Sequence, residues 1–155
     1  MKKNVMFVSS SGGHLKELMS LEPLFNEYNY LIVTEKTQTT MSLKNKYKVE
    51  YMIYGSRRYF FKYIFVFIFN VLKSIYLMIK YKPKTIVTTG AHTGGIVAIV
   101  GKIFKAKVIY IETLAKVNSL SVTGKNMYKI ADKFYVQWEE LAEKYNKAQY
   151  IGRLI

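Results

Sequence analysis

An α/β fold, a Rossmann-like parallel sheet with helices on both faces, is what three features of the sequence predict. Short apolar runs rich in Val, Ile and Tyr recur along the chain, helical patterning fills the intervals between them, and the runs are apolar at consecutive positions. A strand apolar on both faces is buried on both, as in a parallel sheet between two helical layers. At 155 residues the chain is long enough for one domain with a real core and too short for two, so residues 1–155 are expected to fold as a single unit.

The first run, 5–9, leads through the serines and glycines of SSSGGHLKEL into a helix expected over 14–28. Runs at 30–34 and 49–53 are the second and third strands. The segment 59–81, YFFKYIFVFIFNVLKSIYLMIKY, reads as one long helix. Strands follow at 85–89, 107–111 and 133–137, with helices at 94–104, 120–131 and 138–145. Ligands of such sheets sit beyond the carboxyl ends of the strands, which places function in the loops after strands one, four and five.

Composition narrows the class. Half the residues are hydrophobic and only two are proline, which argues against disorder. The absence of cysteine excludes a disulfide framework and a thiolate zinc site, and no signal-like segment opens the chain, so a cytoplasmic address is expected. Lysine and arginine number 24 against 10 aspartates and glutamates, for a net charge of +14. Nucleic acid, anionic headgroups and nucleotide phosphates all suit such a surface. The lysines are scattered without an arginine-rich patch or a nucleic-acid motif, so no nucleic-acid partner is expected.

Three loops carry the candidate chemistry. Ser11, Gly12, Gly13 and His14 follow strand one; His92, Thr93, Gly94 and Gly95 follow strand four; Glu112 follows strand five. Glycines here either bring backbone close to a ligand at a helix N-terminus or let a helix start tight against the sheet. No P-loop lysine pattern and no GxGxxG is present. Both histidines of the chain fall in these loops. A neutral imidazole is a competent general base, and an ordinary hydrogen-bond partner as well. Two histidines at this spacing do not make a metal site, so neither metal nor cofactor is predicted.

On a helical wheel of 59–81, Lys62, Asn70, Lys73 and Lys80 share one narrow stripe and the rest of the circumference is apolar. A helix packed on a sheet needs an apolar stripe of only about 100°. The excess, with Phe61, Phe65 and Phe69 facing lipid and basic residues at both ends, reads as a helix lying in a membrane interface. The competing reading is a helix buried on all sides.

The motifs SSSGGHLKEL, GSRRYF, TTGAHTGG, the block IYIETLAKVNSLSVTGKNMYKIADKFYVQW and the closing YIG together resemble the oligosaccharide-biosynthesis proteins that form the acceptor-side half of split GT-B glycosyltransferases. That family includes the membrane-recruiting subunit of the GlcNAc transferase acting on dolichol-linked GlcNAc, and bacterial counterparts in capsule and exopolysaccharide operons. More distantly the order resembles the N-terminal domain of the peptidoglycan GlcNAc transferase.

The resemblance implies a domain equivalent to the N-terminal half of a GT-B enzyme, inactive alone. A separate C-terminal-half subunit would bind the UDP-sugar, and a lipid-linked saccharide would be the acceptor. By motif, His14 becomes the candidate base, with Glu112 as the competing base or a holder of acceptor hydroxyls. Ser11, Gly12, Gly13, Arg57, His92, Thr93, Gly94 and Gly95 become the candidate acceptor- and phosphate-binding set. Residues 138–155 are expected to face the partner. The expected location is the cytoplasmic face of the cell membrane, peripheral or monotopic. Eukaryotic members carry an N-terminal membrane-spanning helix, whereas this chain opens almost directly on strand one. A recruiter that leaves all chemistry to its partner is the rival reading.

Overall fold

β1 (Asn4–Ser9) shows why the sheet carries a helical layer on each side. In the computed structural model, which describes residues 2–55 and 60–155, Met6 and Val8 pack on one face with Leu77, Met78, Val97 and Val100. Val5 and Phe7 pack on the other with Leu18 and Phe25. Successive side chains of a strand point to opposite faces, so a run of apolar residues serves two cores at once.

The described elements continue with α1 (Gly13–Met19), α2 (Glu22–Phe25), β2 (Asn29–Glu35), a 3₁₀ turn (Met41–Asn45), β3 (Val49–Met52), α3 (Phe60–Tyr81) and β4 (Thr85–Gly90). The second half holds α4 (His92–Ile103), β5 (Lys107–Ile111), α5 (Val122–Ile130), β6 (Lys133–Val136), α6 (Glu139–Lys144) and β7 (Ala148–Tyr150). All pairings are parallel, in the order β3-β2-β1-β4-β5-β6-β7. The chain reverses its direction of travel between β1 and β4, which opens a crevice at their carboxyl ends.

Three departures from the expected elements have physical causes. The helix expected over 14–28 breaks into α1 and α2, because Pro23 has no N–H to offer the carbonyl of Met19 and its ring would clash there. α4 begins at His92, two residues earlier than expected, and lies tight on the sheet: a Cβ at Gly94 would strike Thr88 Oγ1, and one at Gly101 would strike Ile86 Cδ1. β7 is a seventh strand within the segment read as partner-facing. There Leu154 N–H also donates to Gln137 Oε1 at 2.8 Å, so the tail is part of this sheet as well as a candidate interface.

Residues Tyr63–Tyr81 of α3 are long and apolar enough to cross a membrane by length and composition, and the inner side of the helix packs on α4 and, through Leu77 and Met78, on strand residues of the sheet. Asn70 and Lys73 of its polar stripe turn toward the protein, while Lys80 at the end of the helix is exposed. Asn70 and Ser74 are fully buried, and Lys73 donates to Tyr51 O and lies 3.9 Å from Glu50. The polar side is the docking side, because it meets the hydrogen-bonding groups of edge strand β3. The outward face is apolar: Phe61, Phe65 and Phe69 are 79%, 73% and 49% exposed, with Leu72, Tyr76 and Ile79 beside them. This also removes the reading of a helix buried on all sides.

Candidate functional site

His14 enters the crevice on the first turn of α1, its ring half-buried. Its Nδ1 lies 2.9 Å from the carbonyl oxygen of Thr89, and Thr89 Oγ1 donates back to His14 O at 2.7 Å. A carbonyl can only accept, so Nδ1 carries the hydrogen and the neutral ring keeps its lone pair on Nε2. This is the orientation a proton acceptor needs. The loops after β1 and β4 are thereby tied together at the imidazole.

Three buried carboxylates organise the same edge, and none is ion-paired among the described residues. Glu35, at the end of β2, accepts from Ser11 N–H at 3.0 Å, Ser11 Oγ at 2.7 Å and Thr93 Oγ1 at 2.8 Å. Glu17, one turn beyond His14, accepts from Thr113 Oγ1 at 2.8 Å and Leu114 N–H at 2.9 Å. Glu112 is fully buried. Its Oε1 accepts from Thr113 N–H, and its Oε2 from Ser121 N–H and Oγ. Burial, and then the nearby Glu112 charge, push the Tyr110 hydroxyl far above its ordinary value, so it stays protonated 3.4 Å from Glu112 Oε1.

The sequence-derived set divides accordingly. His14 and Ser11 stand at the crevice, with Gly12 and Gly13 exposed beside them and open space where their side chains would lie. Glu112 ties β5 to the start of α5. At the start of α4, Thr93 N–H donates to Ser10 Oγ and Gly95 N–H to Ala91 O, so these two amides are engaged within the protein. Gly94 lies against Thr88, and a Cβ at Gly95 would come 3.2 Å from Thr123 Cγ2. His92 turns toward α3, its Nε2 hydrogen-bonded to Tyr63 Oη and its ring 6.1 Å from Phe67. Arg57 lies outside the described residues. Glu17 and Glu35 were missed, since acidic residues in a strongly cationic chain give no sequence sign of burial. The one available signal was that Glu17 falls three residues after His14, on the same helix face.

A parallel seven-stranded sheet with helices on both faces and a crevice at its carboxyl edge is the Rossmann-like domain of the GT-B fold, which glycosyltransferases and sugar-nucleotide epimerases share. Solved structures share the fold. MurG from Acinetobacter baumannii superposes with a TM-score of 0.70 at 14% identity, covering 89% of this chain and 42% of that one. UDP-N-acetylglucosamine 2-epimerase from Rickettsia bellii gives 0.74 at 15% identity, covering 99% and 46%. The chain spans under half the length of these two proteins.

The family follows from sequence. The profile "Oligosaccharide biosynthesis protein Alg14 like" matches residues 5–154. The UDP-N-acetylglucosamine transferase subunit ALG14 of Debaryomyces hansenii is 32% identical over 98% of this chain and 76% of its own length. The human ALG14 subunit is 24% identical over 98% and 83%. The chain belongs to the Alg14 family.

Proposed function

We propose that this chain is the acceptor-side subunit of a two-component glycosyltransferase, moving GlcNAc or galactose from a UDP-sugar onto a lipid-linked saccharide in capsule or exopolysaccharide biosynthesis. The relatives' description as UDP-N-acetylglucosamine transferase subunits supports a sugar-nucleotide reaction and favours GlcNAc. A separate subunit holds the UDP-sugar across the crevice. The attacking acceptor hydroxyl loses its proton as the bond from the anomeric carbon to the diphosphate breaks. His14 Nε2 takes that proton, while Thr89 O fixes the ring. Glu35 and Glu17 hold the surrounding loops in place, and Glu112 anchors α5. The His14–Thr89 pair is the observation that carries this reading.

The same subunit brings the pair to its lipid-linked acceptor. α3 lies in the interface of the cytoplasmic leaflet, peripheral or monotopic, through its outward apolar face and the exposed Lys80, Lys82 and Lys84 at its end. Exposed Ile99 and Ile103 of the neighbouring α4 widen that face. The test is co-expression with the sugar-nucleotide subunit and assay of several UDP-sugars on a lipid-linked saccharide. Transfer by the pair and by neither chain alone is expected. A pair that binds but transfers no sugar overturns the proposal.

A further inference from the structure

The pairing of β1 with β4 is irregular where it matters most. β4 has one residue more than β1 between the pairs Val8–Thr88 and Ser9–Gly90, and that extra residue is Thr89. A bulged residue is left out of the ladder and free to turn its polar groups elsewhere. Thr89 turns both its carbonyl and its hydroxyl to His14. The hold on the imidazole therefore depends on a seam that the sheet itself does not close.

Side chains close it, and Glu35 makes three of the bonds. It ends β2, the neighbour of β1, and is 5% exposed. Its Oε2 accepts from Ser11 N–H and Oγ, and its Oε1 from Thr93 Oγ1. Ser11 lies three residues before His14 and Thr93 four residues after Thr89, so one carboxylate grips both sides of the seam. Ser10 adds two bonds between them: its N–H donates to Gly90 O at 2.8 Å, and its Oγ accepts from Thr93 N–H at 3.1 Å.

A glutamine could serve the same partners, accepting from Ser11 through its oxygen and donating to the Thr93 hydroxyl, without the cost of burying a charge. Glu35 bears that cost with no ion-pair partner among the described residues. What the charge adds is strength, since hydrogen bonds to an ionised acceptor are shorter and about twice as strong as neutral ones. That strength is placed at the one seam that holds the base.

We propose that Glu35 is the positioning residue of the base: by clamping Ser11 to Thr93 it keeps His14 Nδ1–H on Thr89 O, and so keeps the proton-accepting lone pair on Nε2. The inference rests on the general-base reading above. Glu35 acts only through the imidazole.

The chain has two histidines, so nitrogen NMR of the full chain resolves the His14 ring, with His14→Ala to assign it. Above about pH 8, where an imidazole is neutral, wild type should show a single Nδ1–H tautomer. Glu35→Ala should mix the tautomers, and Glu35→Gln, able to keep all three bonds, should not. In the reconstituted pair Glu35→Ala should lower kcat about tenfold or more, part of what a general base contributes, with acceptor KM within about twofold. Glu35→Gln should restore most of that loss. With His14→Ala already present, adding Glu35→Ala should change the residual turnover less than about twofold, because no imidazole remains to be positioned. Thr93→Val cuts one arm of the clamp and should mix the tautomers to a smaller degree, which keeps the test decisive if Glu35→Ala unfolds. An unmixed tautomer in the folded variants, or a further loss of turnover on top of His14→Ala, overturns the proposal. If His14→Ala leaves turnover near wild type while Glu35→Ala mixes the tautomers, the base reading fails and the clamp on the ring stands. If His14→Ala abolishes most turnover while the tautomer ignores Glu35, the clamp fails alone.

Discussion

Asn70 completes the end of edge strand β3 by pairing with both backbone groups of Ile53: its Oδ1 accepts from Ile53 N–H at 3.0 Å, and its Nδ2 donates to Ile53 O at 2.9 Å. A side-chain amide stands there in place of a neighbouring strand. Asn70→Ala leaves both groups without their partner at a helix–sheet contact and should cost about 2 kcal/mol in denaturant unfolding. Ser74→Ala removes only a hydroxyl bonded to the Asn70 carbonyl one turn away and should cost less than about 1 kcal/mol. Equal losses in the two variants would mean that Asn70 is not the docking residue.

The same contact shows where sequence reading stops. The wheel of 59–81 identified the amphipathic helix and its polar stripe, because periodicity depends only on the chain. Which side meets the protein depends on what the sheet presents, and an edge strand presents polar backbone. The strands were legible because residues such as Val5 to Val8 serve two cores. β7 was not, since Ala148, Gln149 and Tyr150 carry no apolar run and pair only because β6 offers an edge. His14 was legible from its glycine loop. Its bond to Thr89 O was not, because the partner is backbone from another strand.

His14→Ala in the reconstituted pair should lower turnover about 10²-fold or more with the complex intact, the usual range for a lost general base. Gel filtration and acceptor KM would show that assembly and binding persist. Turnover within a few-fold of wild type moves the base to the partner subunit and leaves this chain a recruiter.

Asp132 ties the end of α4 to the start of β5, accepting from Lys102 Nζ at 2.6 Å and Val108 N–H at 2.7 Å. Burial raises its carboxyl, but these hydrogen bonds outweigh burial and hold it below the ordinary aspartate value. A carboxyl lower in the folded than in the unfolded state stabilises above about pH 4, and that contribution is lost as pH falls through the folded value. Asp132→Asn should therefore lower Tm at pH 7, by an amount equivalent to at most about 1 kcal/mol at this partly exposed pair. The gap from wild type should close on acidification below about pH 4. A gap independent of pH would mean that packing, not charge, sets it.

The outward face of α3 yields the membrane prediction, and its exposure makes the test clean. Phe65 and Phe69 point away from the core, so Phe65→Glu with Phe69→Glu should leave cooperative unfolding intact. The double variant should lose sedimentation with anionic vesicles, since it puts two carboxylates into the face proposed to bury aromatic rings among acyl chains. The lysines at the end of the helix add about 1 kcal/mol each near an anionic surface, a contribution that salt screens. High salt should therefore weaken wild-type binding without abolishing it. Binding that vanishes in salt would assign attachment to charge alone, and a folded double variant that still sediments fully would remove α3 from the membrane.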